Sequence, residues 1–167
     1  MKHAFLYLFS LPFIFSSNNL YAKEVVEIEL PNLDQISKVE LIIVPTDLRT
    51  RAPLSEKNLP IYGCTFSTTS EKQYSALLSI LSKKIKTAEK SDSFALRNAV
   101  YLHLKNSEVV KLLLNDPVVK NGDGEGKLEK SSSGSESIKF NQGMLKKLRI
   151  WAKDIPARKN FSEPCLQ

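Results

Sequence analysis

The N-terminal 22 residues constrain this chain more than any other segment, because they indicate the compartment in which it folds. Lys2 precedes an apolar run from Ala4 to Phe15, and a polar stretch then leads to Leu20-Tyr21-Ala22. This order of charged, apolar and small-residue regions is typical of a cleavable secretory peptide. A membrane anchor is the alternative, but a spanning helix needs about 20 mostly apolar residues, and this run is shorter. We therefore expect residues 1–22 to be removed, and the rest to reach the periplasm or the exterior without a stable membrane anchor.

Export determines how the two cysteines of the chain behave. In an oxidising compartment, two cysteines in one exported chain most simply pair with each other. They are not spaced as Cys-x-x-Cys and neither begins an evident helix, which disfavours a redox-active pair; an intermolecular bridge is the other alternative. We predict a structural disulfide between Cys64 and Cys165, which ties the C-terminal tail to the body of the protein.

Residues 23–167 are expected to form one domain, because a chain of this length can bury about two thirds of the surface it exposes when unfolded. Alternating or continuous apolar residues predict several strands. These are Glu24–Leu30, Lys38–Val44, Tyr62–Thr68, a hairpin over residues 99–104 and 109–114, and a short strand over Ile138–Phe140.

Two segments carry the spacing of amphipathic helices. The first begins after Ser70 and has an apolar stripe of Tyr74, Leu77, Leu78, Leu81 and Ile85. The second is capped by Asn141 and has Met144, Leu148, Trp151 and Ile155 on one face. Since hairpins and short loops join most strands, the pattern indicates a single α+β domain in which a mainly antiparallel sheet packs against two helices.

The stretch from residue 120 to 137 is rich in Gly, Ser and charge, and Leu128 is its only large apolar residue. It is interpreted as a flexible loop or the tip of a long hairpin. Within it, residues 121–127 resemble a calcium loop or a phosphate-binding loop. However, Ser132 replaces the glutamate that a calcium loop needs, and Leu128 follows the lysine of the other motif. A solvated turn is the favoured interpretation.

The catalytic inventory is poor, and we assign no catalytic residue, no metal and no cofactor. His103 is the only histidine beyond the leader, and no nucleophile elbow, zinc-binding helix motif or Cys-His pair accompanies it. Scattered carboxylates, among them Asp47, Asp92 and Asp116, leave open a small envelope hydrolase that uses His103.

The chain has a formal net charge of +6, and its C-terminal part is especially basic. This basic set consists of Lys139, Lys146, Lys147, Arg149, Lys153, Arg158 and Lys159. Such a surface can attract anionic envelope polymers or an acidic protein, or can simply be a solvated helix face. Export and the absence of interleaved aromatic residues argue against nucleic acid.

A second polar set, Asp47, Arg49 and Arg51, lies in a proline-bounded connection just after the predicted central strand. The two arginines can make bidentate contacts with carboxylates of a partner, or they can brace the loop against the domain. Taken together, these features favour a non-catalytic exported binding protein. We expect a periplasmic inhibitor or immunity-type protein that occludes a toxin or hydrolase in the cell envelope. Its candidate contacts are these three residues and the 120–137 segment.

Overall fold

The structure is a computed structural model, and it describes residues 28–82, 85–89, 94–116, 122–132, 134–156 and 163–166. The predicted leader, residues 1–22, lies outside the described residues. Most of the strand predicted over Glu24–Leu30 also lies outside them, and its described part, Ile28–Leu30, is not in a strand.

The described residues form one antiparallel sheet of seven strands, with helices packed on it. The strands are β1 (Ile36–Ile43), β2 (Cys64–Thr68), β3 (Ile85–Thr87), β4 (Asn98–Leu104), β5 (Val109–Leu114), β6 (Asp123–Lys130) and β7 (Gly134–Asn141). The helices are α1 (Leu59–Tyr62), α2 (Glu71–Ser82) and α3 (Gln142–Ala152), with short 3-10 turns at Leu33–Gln35 and Glu163–Cys165. The strand order is β2-β1-β4-β5-β6-β7-β3. The predicted α+β domain is therefore confirmed.

The sheet has apolar residues on both faces at its centre, and this explains the continuous apolar run in β1. Leu41 and Ile43 contribute to the core under α2 and α3, whereas Ile42 contributes to a second cluster on the opposite face. The alternation of side chains along a strand requires this division. We call the side covered by α2 and α3 the helix face, and the opposite side the connection face.

Both main helices bury most of the stripe that their spacing predicts. In α2, Tyr74, Leu77 and Leu81 are buried. The Tyr74 hydroxyl donates a 2.6 Å hydrogen bond to the carbonyl of Ser37, which lies near the start of β1. The side chain of Asn141 accepts a hydrogen bond from the Gly143 amide and so caps α3, as predicted. Ile85 does not extend the stripe of α2, because it pairs with Phe140 in the edge strand β3.

In the segment from 120 to 137, the structure matches the hairpin alternative and not the flexible loop. Most of its described residues lie in strands, because β6 is paired on one side with β5 and on the other with β7. Leu128 is buried in the helix-face core. A Cβ at Gly124 would collide with the Phe140 ring, and one at Gly126 would lie 2.6 Å from the carbonyl oxygen of Leu113. These glycines serve close packing within a strand, so the described part of the segment belongs to a β-hairpin.

The predicted disulfide is present between Cys64 in β2 and Cys165 in the C-terminal turn. Both residues are buried in the helix-face core, and their Cα atoms are 6.2 Å apart. The bridge joins residues separated by 101 positions and holds the tail against the strand at one edge of the sheet. Within the residues that the structure describes, no helix is long and apolar enough to cross a lipid bilayer.

Candidate functional site

The connection between β1 and β2, residues 44–63, lies over part of the connection face and contains α1. Leu54 and Leu59 are its buried anchors, and they pack with Ile42, Ala99 and Leu113 of the sheet. The backbone also bonds to itself, since the Leu59 amide donates to the carbonyl of Ser55 at 2.9 Å. Burial of these side chains holds the connection against the sheet.

Polar contacts add to this apolar anchoring. The Arg97 guanidinium donates a 3.1 Å hydrogen bond to the carbonyl of Leu48. Glu56 reaches across the sheet, where it accepts a 3.4 Å hydrogen bond from the Tyr101 hydroxyl and lies 3.0 Å from the Lys111 ammonium. Burial, together with the nearby carboxylate of Glu56, raises the pKa of the Tyr101 hydroxyl well above its ordinary value. Tyr101 therefore remains a hydrogen-bond donor to the connection at every physiological pH.

Asp47, Arg49 and Arg51 are all exposed on this connection. Throughout the described part of the chain, no residue forms a hydrogen bond or salt bridge with any of the three side chains. Arg97 and Glu56 hold the connection against the sheet, whereas Arg49 and Arg51 face solvent. The structure thus places the three predicted residues on one anchored segment without bringing their side chains into mutual contact.

The sequence did not reveal Arg97 and Glu56 as anchors, because their partners lie 45 to 55 positions away along the chain. Sequence reasoning also missed the exposed apolar residues of the same connection. Ile61 and Tyr62 are 68% and 47% exposed, and they are two of the three exposed large hydrophobic residues in the described part of the chain. Exposed tyrosine, arginine and apolar side chains on a fixed segment are the composition typical of protein-contact surfaces.

His103 lies on the connection face of β4, where it pairs with Lys38 on β1 and with Val109 on β5. Burial lowers the pKa of its imidazole below the ordinary value, and the ammonium of Lys38 lowers it further, while Glu40 acts in the opposite direction. Its Nε2 atom is buried and accepts or donates no hydrogen bond within the described residues. The imidazole is therefore neutral at pH 7 and packed between strands.

The carboxylates considered with His103 have separate positions. Asp47 is exposed on the connection, and Asp116 lies after β5 with an oxygen 3.7 Å from the Arg149 guanidinium. Asp92 lies outside the described residues. In the described ranges, no group of three or more His, Cys, Asp or Glu side chains is placed to hold a metal ion.

The basic C-terminal set is divided by the fold. Lys146, Lys147 and Lys153 are exposed on or next to α3, whereas the side chain of Arg149 is only 11% exposed. Burial lowers the pKa of the Arg149 guanidinium, and the Asp116 carboxylate partly offsets this effect. Arg149 therefore does not belong to the exposed basic face, and Arg158 and Lys159 lie outside the described residues.

Comparisons with protein families, with curated proteins and with solved structures return no significant match to this chain. The anchored connection with its two exposed arginines is the candidate binding surface, on the strength of its own geometry.

Proposed function

We propose that this chain is an exported, non-catalytic binding protein, and that the 44–63 connection contacts an acidic surface on a protein partner in the cell envelope. The inhibitor or immunity type fits best: the protein would block a toxin or hydrolase by covering it. The observation that carries the proposal is that Arg49 and Arg51 are exposed, and form no ion pair with any described residue, on a segment that other residues hold in place.

The physical reasoning concerns the entropy of binding. A guanidinium pairs with a carboxylate through two parallel hydrogen bonds, and this geometry is specific. Ordering a loop during association lowers affinity, whereas a loop that is already fixed avoids that cost. Leu54, Leu59 and Glu56 fix the backbone that carries the arginines, so binding needs to order only their side chains.

Export is the second part of the proposal. The leader predicted over residues 1–22 supports it, and the disulfide between Cys64 and Cys165 is compatible with an oxidising compartment. An inhibitor that acts in the envelope has to persist there, and a cross-linked domain resists unfolding.

The test is affinity capture with the purified, oxidised protein on an envelope extract. The wild type is expected to retain one protein in a one-to-one complex, and to inhibit any hydrolytic activity of that protein. The variant Arg49→Glu/Arg51→Glu is expected to bind it at least about tenfold more weakly, because two attractive charge pairs become repulsive. Lys105→Glu/Lys130→Glu is the matched control, since it reverses two charges at the opposite end of the sheet and leaves capture unchanged.

Stability measurements accompany the capture. Removing Arg49 or Arg51 is expected to change the free energy of unfolding by less than about 0.5 kcal/mol, because both side chains are exposed and form no bond with a described residue. Failure to capture any stoichiometric protein would contradict the proposal. Equal capture by the double arginine variant would show that the connection is not the contact surface. Retention on anionic polymers alone, lost at moderate salt, would favour a cationic polymer binder instead.

A further inference from the structure

A groove of about 420 Å³ runs between α2 and α3 on the outer surface of the helix layer. This lies on the side of the sheet opposite to the 44–63 connection, so it is separate from the surface proposed above. Its volume lies within the range of ligand sites, roughly 300–1,000 Å³. Its apolar lining comes from both helices and consists of Ala76, Ile80, Ile150 and Trp151.

The floor of the groove is fixed by a hydrogen bond between the two helices. The Trp151 indole donates from Nε1 to the carbonyl of Gln73, at 3.0 Å, which holds the ring between α2 and α3. Ile150 stands beside it and is 55% exposed. Leu148 of the same helix belongs to the helix-face core, whereas Ile150 lies outside that cluster. An exposed isoleucine next to a fixed aromatic ring is a feature typical of a contact surface.

The charges around the groove are mostly positive. Lys72 lies on the α2 side and Lys147 on the α3 side, and one acidic residue, Asp154, lies at the end. Neither lysine forms a salt bridge with a residue in the described part of the chain. Lys146 and Lys153 add further exposed positive charge on α3 or directly after it.

These charges discriminate among possible occupants. A second copy of the chain would bring the same lysines against each other, and each copy carries a net charge of +6, so repulsion opposes self-association. A membrane surface is flat, whereas this site is concave and offers only one protruding apolar side chain, Ile150. An apolar segment with acidic flanks matches both the shape and the charge.

We propose that the α2–α3 groove docks an amphipathic helix of a partner protein, with apolar side chains in the groove and acidic side chains against Lys72 and Lys147. Two packed helices present a groove into which a third helix fits with its apolar residues at i, i+3, i+4 and i+7. The third helix would cover Ile150 and the edge of Trp151, and its carboxylates would neutralise the two lysines.

The test uses a designed helical peptide that contains leucines at those positions, glutamates on both flanks and no tryptophan. Trp151 is the only tryptophan of the chain, so its fluorescence reports binding at the groove itself. We expect saturable binding, with an affinity about tenfold higher than that of a control peptide with lysines in place of the glutamates. Ile150→Asp is expected to weaken binding by more than about tenfold, and Lys72→Glu/Lys147→Glu to reverse the preference between the peptides.

The matched control is Ile61→Asp, which places the same charge on the exposed isoleucine of the opposite face and should leave peptide binding unchanged. Both isoleucines are more than half exposed, so neither variant is expected to prevent folding. Equal affinity for the two peptides would overturn the proposal. It would also be overturned by equal binding to vesicles of anionic lipid, or by sedimentation that shows a dimer lost in Ile150→Asp. The Arg49→Glu/Arg51→Glu variant should bind the peptide normally, so failure here is distinguishable from failure of the proposed function.

Discussion

Reduction of the Cys64–Cys165 bridge is expected to remove a large part of the stability of this domain. The bridge closes a loop between residues separated by 101 positions, and it joins the C-terminal turn to β2 at the edge of the sheet. Cys165 is 1% exposed, so the tail around it is part of the core. The prediction concerns two forms: the reduced wild type, which keeps both sulfur atoms, and Cys64→Ala/Cys165→Ala, which does not.

The expected loss follows from the length of the closed loop. For a loop of about 100 residues, the loss of chain entropy in the unfolded state corresponds to about 4.7 kcal/mol at 25 °C. The reduced wild type should lose roughly this much of its free energy of unfolding. The double alanine variant should lose about 1–2 kcal/mol more, because buried atoms are also removed from two sites. Since domains of this size are typically stable by about 5–15 kcal/mol, the reduced form should be only marginally folded.

The assay is urea unfolding followed by circular dichroism, with the oxidation state checked by thiol alkylation and mass spectrometry. The dependence of the free energy on urea concentration should rise on reduction, because the unfolded chain without the cross-link exposes more surface. A loss of less than about 1.5 kcal/mol, with an unchanged urea dependence, would refute the reasoning. It would mean that the reduced unfolded chain already holds its C-terminal tail close to β2.

Three further predictions address buried groups. Arg149→Leu is expected to leave stability unchanged or to raise it by up to about 2 kcal/mol. This guanidinium is buried, its Nε and Nη2 atoms form no hydrogen bond with a described residue, and its described counter-charge, Asp116, lies 3.7 Å away. Asp116→Asn should lower the free energy of unfolding, because it removes the counter-charge of a buried guanidinium. Urea unfolding of both variants tests these expectations, and a large decrease in the stability of Arg149→Leu would contradict them. Because burial lowers the pKa of His103 in the folded state, the unfolded chain binds its proton first. The free energy of unfolding should therefore fall as the pH decreases below about 6.5 and level off below the folded pKa, and His103→Gln should flatten this part of the pH profile. Gly124→Ala should destabilise the β6–β7 hairpin by about 1–3 kcal/mol, because the added methyl group collides with the Phe140 ring. Thermal unfolding should show that Phe140→Leu partly rescues Gly124→Ala, whereas additive losses would argue against the collision.

Periodicity predicted the elements of the fold where one face of a segment is buried and the other is wet. The stripe of α2, the cap of α3 and the β4–β5 hairpin could all be predicted, because each depends on residues close together in sequence. The hairpin over 123–141 was indicated only in part, by the short strand over Ile138–Phe140 and by the hairpin-tip alternative for the segment before it. The glycines and charges of β6 give a weak apolar pattern, and the order of this strand depends on pairing with β5 and β7.

At the candidate site too, some features could be predicted from the sequence and others depend on tertiary contacts. The sequence singled out Asp47, Arg49 and Arg51 by charge and by the prolines around them, but it left open whether the arginines brace the loop or face a partner. The tertiary contacts show that Arg97 and Glu56 brace the connection and that Arg49 and Arg51 are exposed. The type of a residue and its neighbours in sequence cannot show which of several charged side chains contacts a distant carbonyl or carboxylate.

The sequence by itself determined the two main helices, the pairing of the cysteines and the apolar face of several segments, because these follow from local spacing and from there being only two thiols. Tertiary structure alone decided the order of the strands, the ordering of the glycine-rich hairpin and the exposure of Arg49, Arg51 and Ile150. The physical reason is that burial and pairing are properties of surfaces brought together from distant parts of the chain, and those contacts have no local signature.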